Sequence, residues 1–315
     1  MNTNVYRLPD GFGEKIRQIY PQNYQHIINS FAEKKVSSFR INYLKTDLVS
    51  LRKQLVEEKV RFKELQFPAG AFLLNMPMRE FQQREVYNKG KVYVQNISSM
   101  LPVLMLEPRD GETILDLCAA PGTKTTQIVS LAPKAEVTAI EKDRIRFYKL
   151  LANLKIQGAE SVNTMLIDGI WVRKKFPEYF DKILVDAPCS AEGRFLLTDP
   201  RSYKYWKERK VKEMMHKQKK LMHAAFFALK EGGTLVYSTC TFSPEENECV
   251  VEWFLDKFSG KVELLPMELP LANAVPGMRG WNSKHFEAPM RLTRRILPND
   301  FMEGFFVAKI KKTAV

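Results

Sequence analysis

The sequence predicts an α/β protein: a parallel β-sheet with helices on both faces, preceded by a smaller α+β module. Three observations carry this expectation. Beyond about residue 110, short apolar strands alternate with helical segments. Before about residue 95 the pattern is strand, helix, strand after a helical N-terminus. The chain has 315 residues, enough for one large domain plus a smaller one. The expected division is 1–95 and 96–315.

In the first part, Ser38-Phe39-Arg40-Ile41-Asn42-Tyr43-Leu44 alternates as a strand does. Asp47 is placed to cap a helix over 48–58, with Leu48, Leu51, Leu55 and Val56 on one face. Val60–Phe67 reads as a second strand, ended by Pro68-Ala69-Gly70. In the second part the expected strands are Thr113–Leu117, Glu136–Ile140, Ser161–Leu166, Lys182–Val185 and Thr234–Tyr237. Helices fit 123–132, 143–157 and 204–230. Gly304–Lys311 reads as a further strand, the last of the sheet.

Hydrophobic content of 45% and charged content of 27% are those of a soluble globular protein. No uninterrupted apolar stretch is long enough to span a bilayer, and MNTNVYRLPDGFGEK has no apolar core for a signal peptide. A cytoplasmic location without membrane partners follows as the expectation. The formal charge of +13 points to a polyanionic partner, because Lys and Arg near phosphates displace condensed counterions. Residues 201–220 hold nine Lys/Arg against two Glu, with Tyr203, Tyr205 and Trp206 interleaved, a composition that suits a phosphate backbone and unstacked bases. The structural alternative is a helix with one solvated basic face that packs Trp206 and Met214 inward. Four cysteines occur, Cys118, Cys189, Cys240 and Cys249, with no C-x-x-C pair and no His at ligand spacing. Neither a metal nor a disulfide is expected.

The first strand of the sheet ends at Asp116, followed by Leu117-Cys118-Ala119-Ala120-Pro121-Gly122-Thr123-Lys124. Small residues let the backbone approach a ligand, and the next helix offers free N–H groups to a carboxylate or phosphate. The turn is neither a P-loop nor G-x-G-x-x-G, which disfavours a nucleoside triphosphate or dinucleotide. Glu141 ends the second strand, placed to accept hydrogen bonds from ribose hydroxyls. Asp168 ends the third, where it can accept from an adenine amino group. Each acid alone could be a helix cap; together they describe a site for an adenosine with a small charged tail, and S-adenosylmethionine fits.

The fourth strand ends in Asp186-Ala187-Pro188-Cys189 and the fifth in Cys240, so both thiols should face one crevice. Carbon 5 of a pyrimidine is a poor nucleophile until a thiolate adds to carbon 6, which turns the ring into an enamine. A second base must then remove the carbon 5 proton, and a carboxyl group near ring nitrogen 3, with Asp186 the candidate, stabilises the adduct. A free thiol titrates near about 8.5, so the nucleophile needs help, part of which Lys124 is placed to supply as positive field.

DLCAAPGTKT, DAPCS and YSTCTFSPEENE, in this order and spacing, resemble the three strongest motifs of the RNA cytosine-5 methyltransferases, the Sun family. SFRINYL (38–44), YVQNISSMLP (93–102), Gln218 with the 221–230 helix, and GFFVAKIKK near the C-terminus add to the likeness, which covers roughly residues 35–312. The resemblance implies a Rossmann-like class I methyltransferase sheet with a small N-terminal RNA-binding-like domain. It implies S-adenosylmethionine contacts from Cys118, Ala119, Ala120, Pro121, Gly122, Thr123, Lys124, Glu141, Asp168 and Asp186; Arg146 is included with them. It makes Cys240 the nucleophile and assigns Cys189 to product release; the residues alone do not order the two thiols. The implied product is 5-methylcytosine in structured RNA, ribosomal RNA first and transfer RNA second, made by a monomer. Rivals are RNA uracil-5 methylation and a non-catalytic RNA-binding assembly factor of the same fold. Two departures stand out: Ala191 where the family has Gly after Cys-Ser, and Asn299–Glu303 where it often has His and Thr-Asp. Target choice would rest on the N-terminal module, where Arg40 and Asn42 lean slightly to RNA, on the 194–220 segment, and on loop 272–297 with Arg279, Arg291, Arg294 and Arg295.

Overall fold

The computed structural model describes residues 8–313, and the first seven residues of the segment read for a signal peptide lie outside the described residues. A four-stranded antiparallel sheet comes first: β1 (Ser38–Ile41), β2 (Phe62–Glu64), β3 (Ala71–Leu74) and β4 (Val92–Val94), in the order β2-β3-β1-β4. The helix Leu48–Glu57 covers it, capped as expected by Asp47, whose side chain accepts from Ser50 N at 2.9 Å. Leu51 and Leu55 of that helix are buried with Phe39, Phe72 and Phe81. Val56 is exposed, because it stands one position beyond the buried stripe. β1 stops at Ile41, short of the expected Leu44. The Asn42 side chain turns to Gly90 O and Gln157 O, both at 2.8 Å. The helices Phe12–Ile19 and Tyr24–Ser30 pack elsewhere, in a cluster with Phe195, Trp206 and Phe242.

The large sheet contains β5 (Thr113–Asp116), β6 (Glu136–Glu141), β7 (Asn163–Leu166), β8 (Phe180–Asp186), β9 (Leu229–Thr239), β10 (Val262–Leu265) and β11 (Ala274–Pro276). A two-stranded ribbon, β12 (Gly280–Trp281) with β13 (Lys284–His285), precedes its last members, β14 (Arg294–Ile296) and β15 (Phe305–Lys312). The order is β11-β14-β15-β9-β8-β5-β6-β7, with β10 also on β15. β7, β6, β5, β8 and β9 run parallel; β15, β14, β11 and β10 join antiparallel.

Both faces are buried, as a parallel sheet requires. Leu115, Ile183, Val185, Leu235 and Tyr237 point into one core with the helices Glu208–Ala228 and Glu248–Lys257. Their neighbours Ile114, Leu184 and Val236 point into the other, with Ile128, Leu150 and Leu154 of the helices Thr123–Leu131 and Arg144–Gln157. The architecture is thus the class I methyltransferase sheet. The helix expected over 204–230 begins at Glu208, after a 3-10 turn at Pro200–Ser202. No described helix is long and apolar enough to cross a membrane.

Candidate active site

The strand order reverses between β5 and β8, and open α/β sheets bind ligands at such a reversal, beyond the carboxyl ends of the strands. A cleft of about 810 Å³ opens there. It is lined by Cys118, Ala119, Ala120, Pro121, Thr123, Lys124, Glu141, Arg146, Asp168, Asp186, Cys189 and Cys240 together. Gly122 faces the other way: its φ is 101°, and a Cβ on it would meet Leu150 Cδ1 at 3.0 Å. Its contribution is the left-handed turn that starts the helix.

One half of the cleft is acidic and rich in free backbone donors. The helix Thr123–Leu131 begins without a side-chain cap, leaving its first N–H groups facing the turn. Asp116 accepts from Thr125 Oγ1 at 2.7 Å through one oxygen and leaves the other without a partner; burial pushes its carboxyl up to about 6. Glu141 accepts from Lys142 N and Asp143 N, both at 2.9 Å, through Oε1. Its Oε2 lies 3.5 Å from Arg146 in an ion pair whose geometry makes no hydrogen bond, so that buried oxygen still lacks a donor. Arg146 itself donates to Ala120 O. Asp168 caps the 3-10 turn Gly169–Trp171 and lines the cleft as well. Two orphaned acceptors beside an uncapped helix start fit a hydroxyl-bearing ligand with an anionic tail.

The other half holds the thiols. Asp186 ends β8, where its Oδ1 accepts from Ser238 at 2.8 Å and its Oδ2 from Lys124 at 2.7 Å; Lys124 also donates to Ser99 Oγ at 2.8 Å. The Lys124 ammonium is therefore directed at Asp186 and Ser99, in the same cleft as the thiols. Arg194 also lines the cleft. Its guanidinium is pushed up chiefly by Glu303, 3.5 Å away, and next by Cys240. The Cys189 and Cys240 sulfurs lie 3.3 Å apart. The hydrogen bond to Cys240, then burial, pushes the Cys189 thiol well above the usual range. Ala191 adopts φ 58°, the left-handed conformation a glycine would take freely. The turn after Cys189 is thus retained at a strain of about 1 kcal/mol. Burial pushes the Cys118 thiol up, and pushes that of Cys249 up to about 11.

Several expectations change. Arg40 and Asn42 are buried and tie the small sheet to the large one: Arg40 donates to Gln95 Oε1 at 2.7 Å, Thr126 Oγ1 at 2.8 Å and Thr123 O at 3.0 Å. Arg295, grouped with RNA-facing arginines, is buried against Glu248, Tyr20 and Phe242 O. Tyr203 and Trp206 are buried too, closed to any base, whereas Tyr205 is exposed. Lys217 and Lys220 of the same segment line the cleft. Ser99, Arg194, Glu303 and Phe305 were not singled out from the sequence, yet all four line it. Ser99 lies in the YVQNISSMLP stretch, Phe305 in GFFVAKIKK, Glu303 at the end of the 299–303 segment and Arg194 at the start of 194–220, so each stood in a noted segment without being picked out of it.

The family model described as 16S rRNA methyltransferase RsmB/F matches residues 103–311. The chain is 36% identical over 281 residues to a tRNA (cytosine(49)-C(5))-methyltransferase of Pyrococcus abyssi, covering 87% of this chain and 88% of that one. It is 33% identical over 323 residues to the ribosomal RNA small subunit methyltransferase F of Vibrio parahaemolyticus, covering 99% of this chain but 64% of the relative's length. A solved methyltransferase homologue from Pyrococcus horikoshii superposes with a TM-score of 0.85 at 29% identity, over 98% of this chain and 96% of that one. The chain therefore belongs to the RsmB/F, or Sun, family of RNA cytosine-5 methyltransferases.

Proposed function

We propose that this chain methylates carbon 5 of a cytosine in structured RNA through a covalent bond between Cys240 and carbon 6. The supporting observation is the thiol pair, 3.3 Å apart, in the cleft that also holds Asp186 in the grip of Lys124 and Ser238. S-Adenosylmethionine, when bound, supplies an electrophilic methyl group. The residues that would hold it are the 118–124 turn, Glu141 and Asp168, with Arg146 bracing the turn through Ala120 O.

In this scheme the Cys240 sulfur, as thiolate, bonds to carbon 6, and the carbon 5–carbon 6 π pair moves to carbon 5. Asp186 stands at the ring nitrogen 3 side; as that charge develops, nitrogen 3 takes up a proton from solvent and the Asp186 carboxylate accepts its hydrogen bond. After carbon 5 has gained the methyl group, its C–H bond breaks and the proton passes to a base. The freed pair restores the double bond, and the carbon 6–sulfur bond breaks with its electrons returning to Cys240. Cys189 serves this release by donating its S–H to the departing sulfur. The target base must leave its stack to present both faces of carbons 5 and 6.

Small-subunit ribosomal RNA is the first substrate reading. Transfer RNA is the second, favoured by the nearly end-to-end match to the archaeal transfer RNA enzyme. The reading includes a monomer acting in the cytoplasm, with an RNA-binding-like module in residues 1–95; β1–β4 have a core of their own, whereas the two helices before them pack on the large part of the chain. Incubating the purified chain with total RNA and labelled S-adenosylmethionine, then digesting to nucleosides, tests this. 5-Methylcytidine in ribosomal or transfer RNA is expected. 5-Methyluridine would make it a uracil enzyme, and RNA binding without methylation would make it an assembly factor.

A further inference from the structure

Behind the two thiols lie two fully buried carboxylates that the scheme above does not use. Glu246 accepts from Ser190 N at 2.9 Å, from Ser190 Oγ, and from Gln218 Nε2 at 2.8 Å. Gln218 also donates to Pro188 O at 3.0 Å. Both neighbours of Cys189 in sequence are thus fastened to Glu246, Ser190 directly and Pro188 through Gln218. Glu192 holds the other loop: it accepts from Thr241 Oγ1 at 2.7 Å, Phe242 N at 3.0 Å, Ser243 N at 2.8 Å and Ser243 Oγ at 2.6 Å, and from Trp206 Nε1 at 2.8 Å. The loops meet where Ser190 Oγ lies 2.7 Å from Thr241 Oγ1.

Every one of these donors is neutral. Buried carboxylates without a cation are poor sources of stability but good definers of geometry, because each lone pair selects one donor position. Burial, and next the neighbouring Glu192, push the Glu246 carboxyl up to about 8, while the bonds from Ser190 and Gln218 work against that shift.

We propose that Glu246 is the positioning residue of the release thiol Cys189, acting separately from Cys240, whose loop Glu192 holds. This deepens the covalent reading given under Proposed function and rests on it. Misplacing a reacting group by about 1 Å lowers rates by about 100-fold, so loosening the Cys189 loop should slow release while leaving attack by Cys240 intact.

The test is the amount of denaturant-stable protein–RNA adduct, measured together with kcat and KM for Cys189→Ala, Glu246→Ala, Glu246→Gln and Ser190→Ala, with thermal melting to check folding. Glu246→Ala is expected to accumulate adduct as Cys189→Ala does, with kcat down about 10- to 100-fold and KM for RNA unchanged. Glu246→Gln, which keeps an acceptor towards Ser190 N and Gln218 and sets an amide N–H against the Ser190 Oγ oxygen, is expected to restore turnover. Should Glu246→Ala fail to fold, Ser190→Ala, which removes the hydroxyl bonds to Glu246 and Thr241 but keeps the backbone bond to Glu246, is expected to show the same accumulation. Wild-type adduct levels and kcat in Glu246→Ala, or in Ser190→Ala where it stands in, would overturn the proposal. So would loss of adduct in either, or a Gln variant as impaired as Ala. Absence of adduct in Cys189→Ala would instead remove the covalent reading, and this inference with it.

Discussion

Asp186 is the residue on which both halves of the cleft converge, and its two oxygens are oriented by Lys124 and Ser238. Asp186→Asn keeps the shape but removes the acid at ring nitrogen 3, and kcat is expected to fall about 100- to 10,000-fold in single-turnover methylation assays. Burial gives Glu246 a separate signature. Its folded-state carboxyl lies near 8, above its ordinary 4.5, so the stability it contributes is fully present below 4.5 and is lost as pH rises through about 8. Melting curves should show wild type losing stability between pH 5 and 8, by on the order of a few kcal/mol, and Glu246→Gln losing less. The strand-end acids and both thiols were legible because parallel strands bring their carboxyl ends to one edge. Arg194 and Glu303 were not. They come from irregular segments brought together where Gly193 and Gly304 touch: a Cβ on Gly193 would meet Gly304 O at 2.1 Å. No local sequence pattern announces a contact between chain positions so far apart.

Among the elements, β5, β6, β8 and β9 were readable from apolar runs because both of their faces are largely buried, whereas β7 at the sheet edge is half exposed. β3 and β4 were missed: they span four and three residues, too short for any periodicity to stand out. The helix Phe12–Ile19 shows how far an element can act from its sequence position. Its Lys15 reaches Glu245 at 3.0 Å, and Tyr20 just beyond it meets Arg295, which pairs with Glu248. These contacts, with the Ser190–Glu246 bonds, send the three acids of the Pro-Glu-Glu-Asn-Glu segment to three different elements. Arg295→Leu leaves Glu248 buried without its cation, and denaturant unfolding should show a loss of about 3–5 kcal/mol. Phe12, fully buried against Phe195 and Trp206, should lose about 3–5 kcal/mol when changed to Ala.

For the whole molecule, the charge of +13 was visible at once, but not where it acts. Burial withdraws Arg40 and Arg295 from any partner, while Lys217, Lys220 and Arg194 remain around the cleft. RNA affinity should therefore fall steeply with salt, and Lys217→Ala with Lys220→Ala should flatten the log–log salt slope by about 1 per lost phosphate contact. Filter-binding titrations at several salt concentrations would read this.

The covalent division of labour between the thiols is the claim on which the rest depends, and denaturing gels of protein mixed with substrate RNA and S-adenosylmethionine test it most directly. Cys189→Ala is expected to trap a protein–RNA adduct, and Cys240→Ala to lose both adduct and 5-methylcytosine. An adduct that survives in Cys240→Ala would contradict the account.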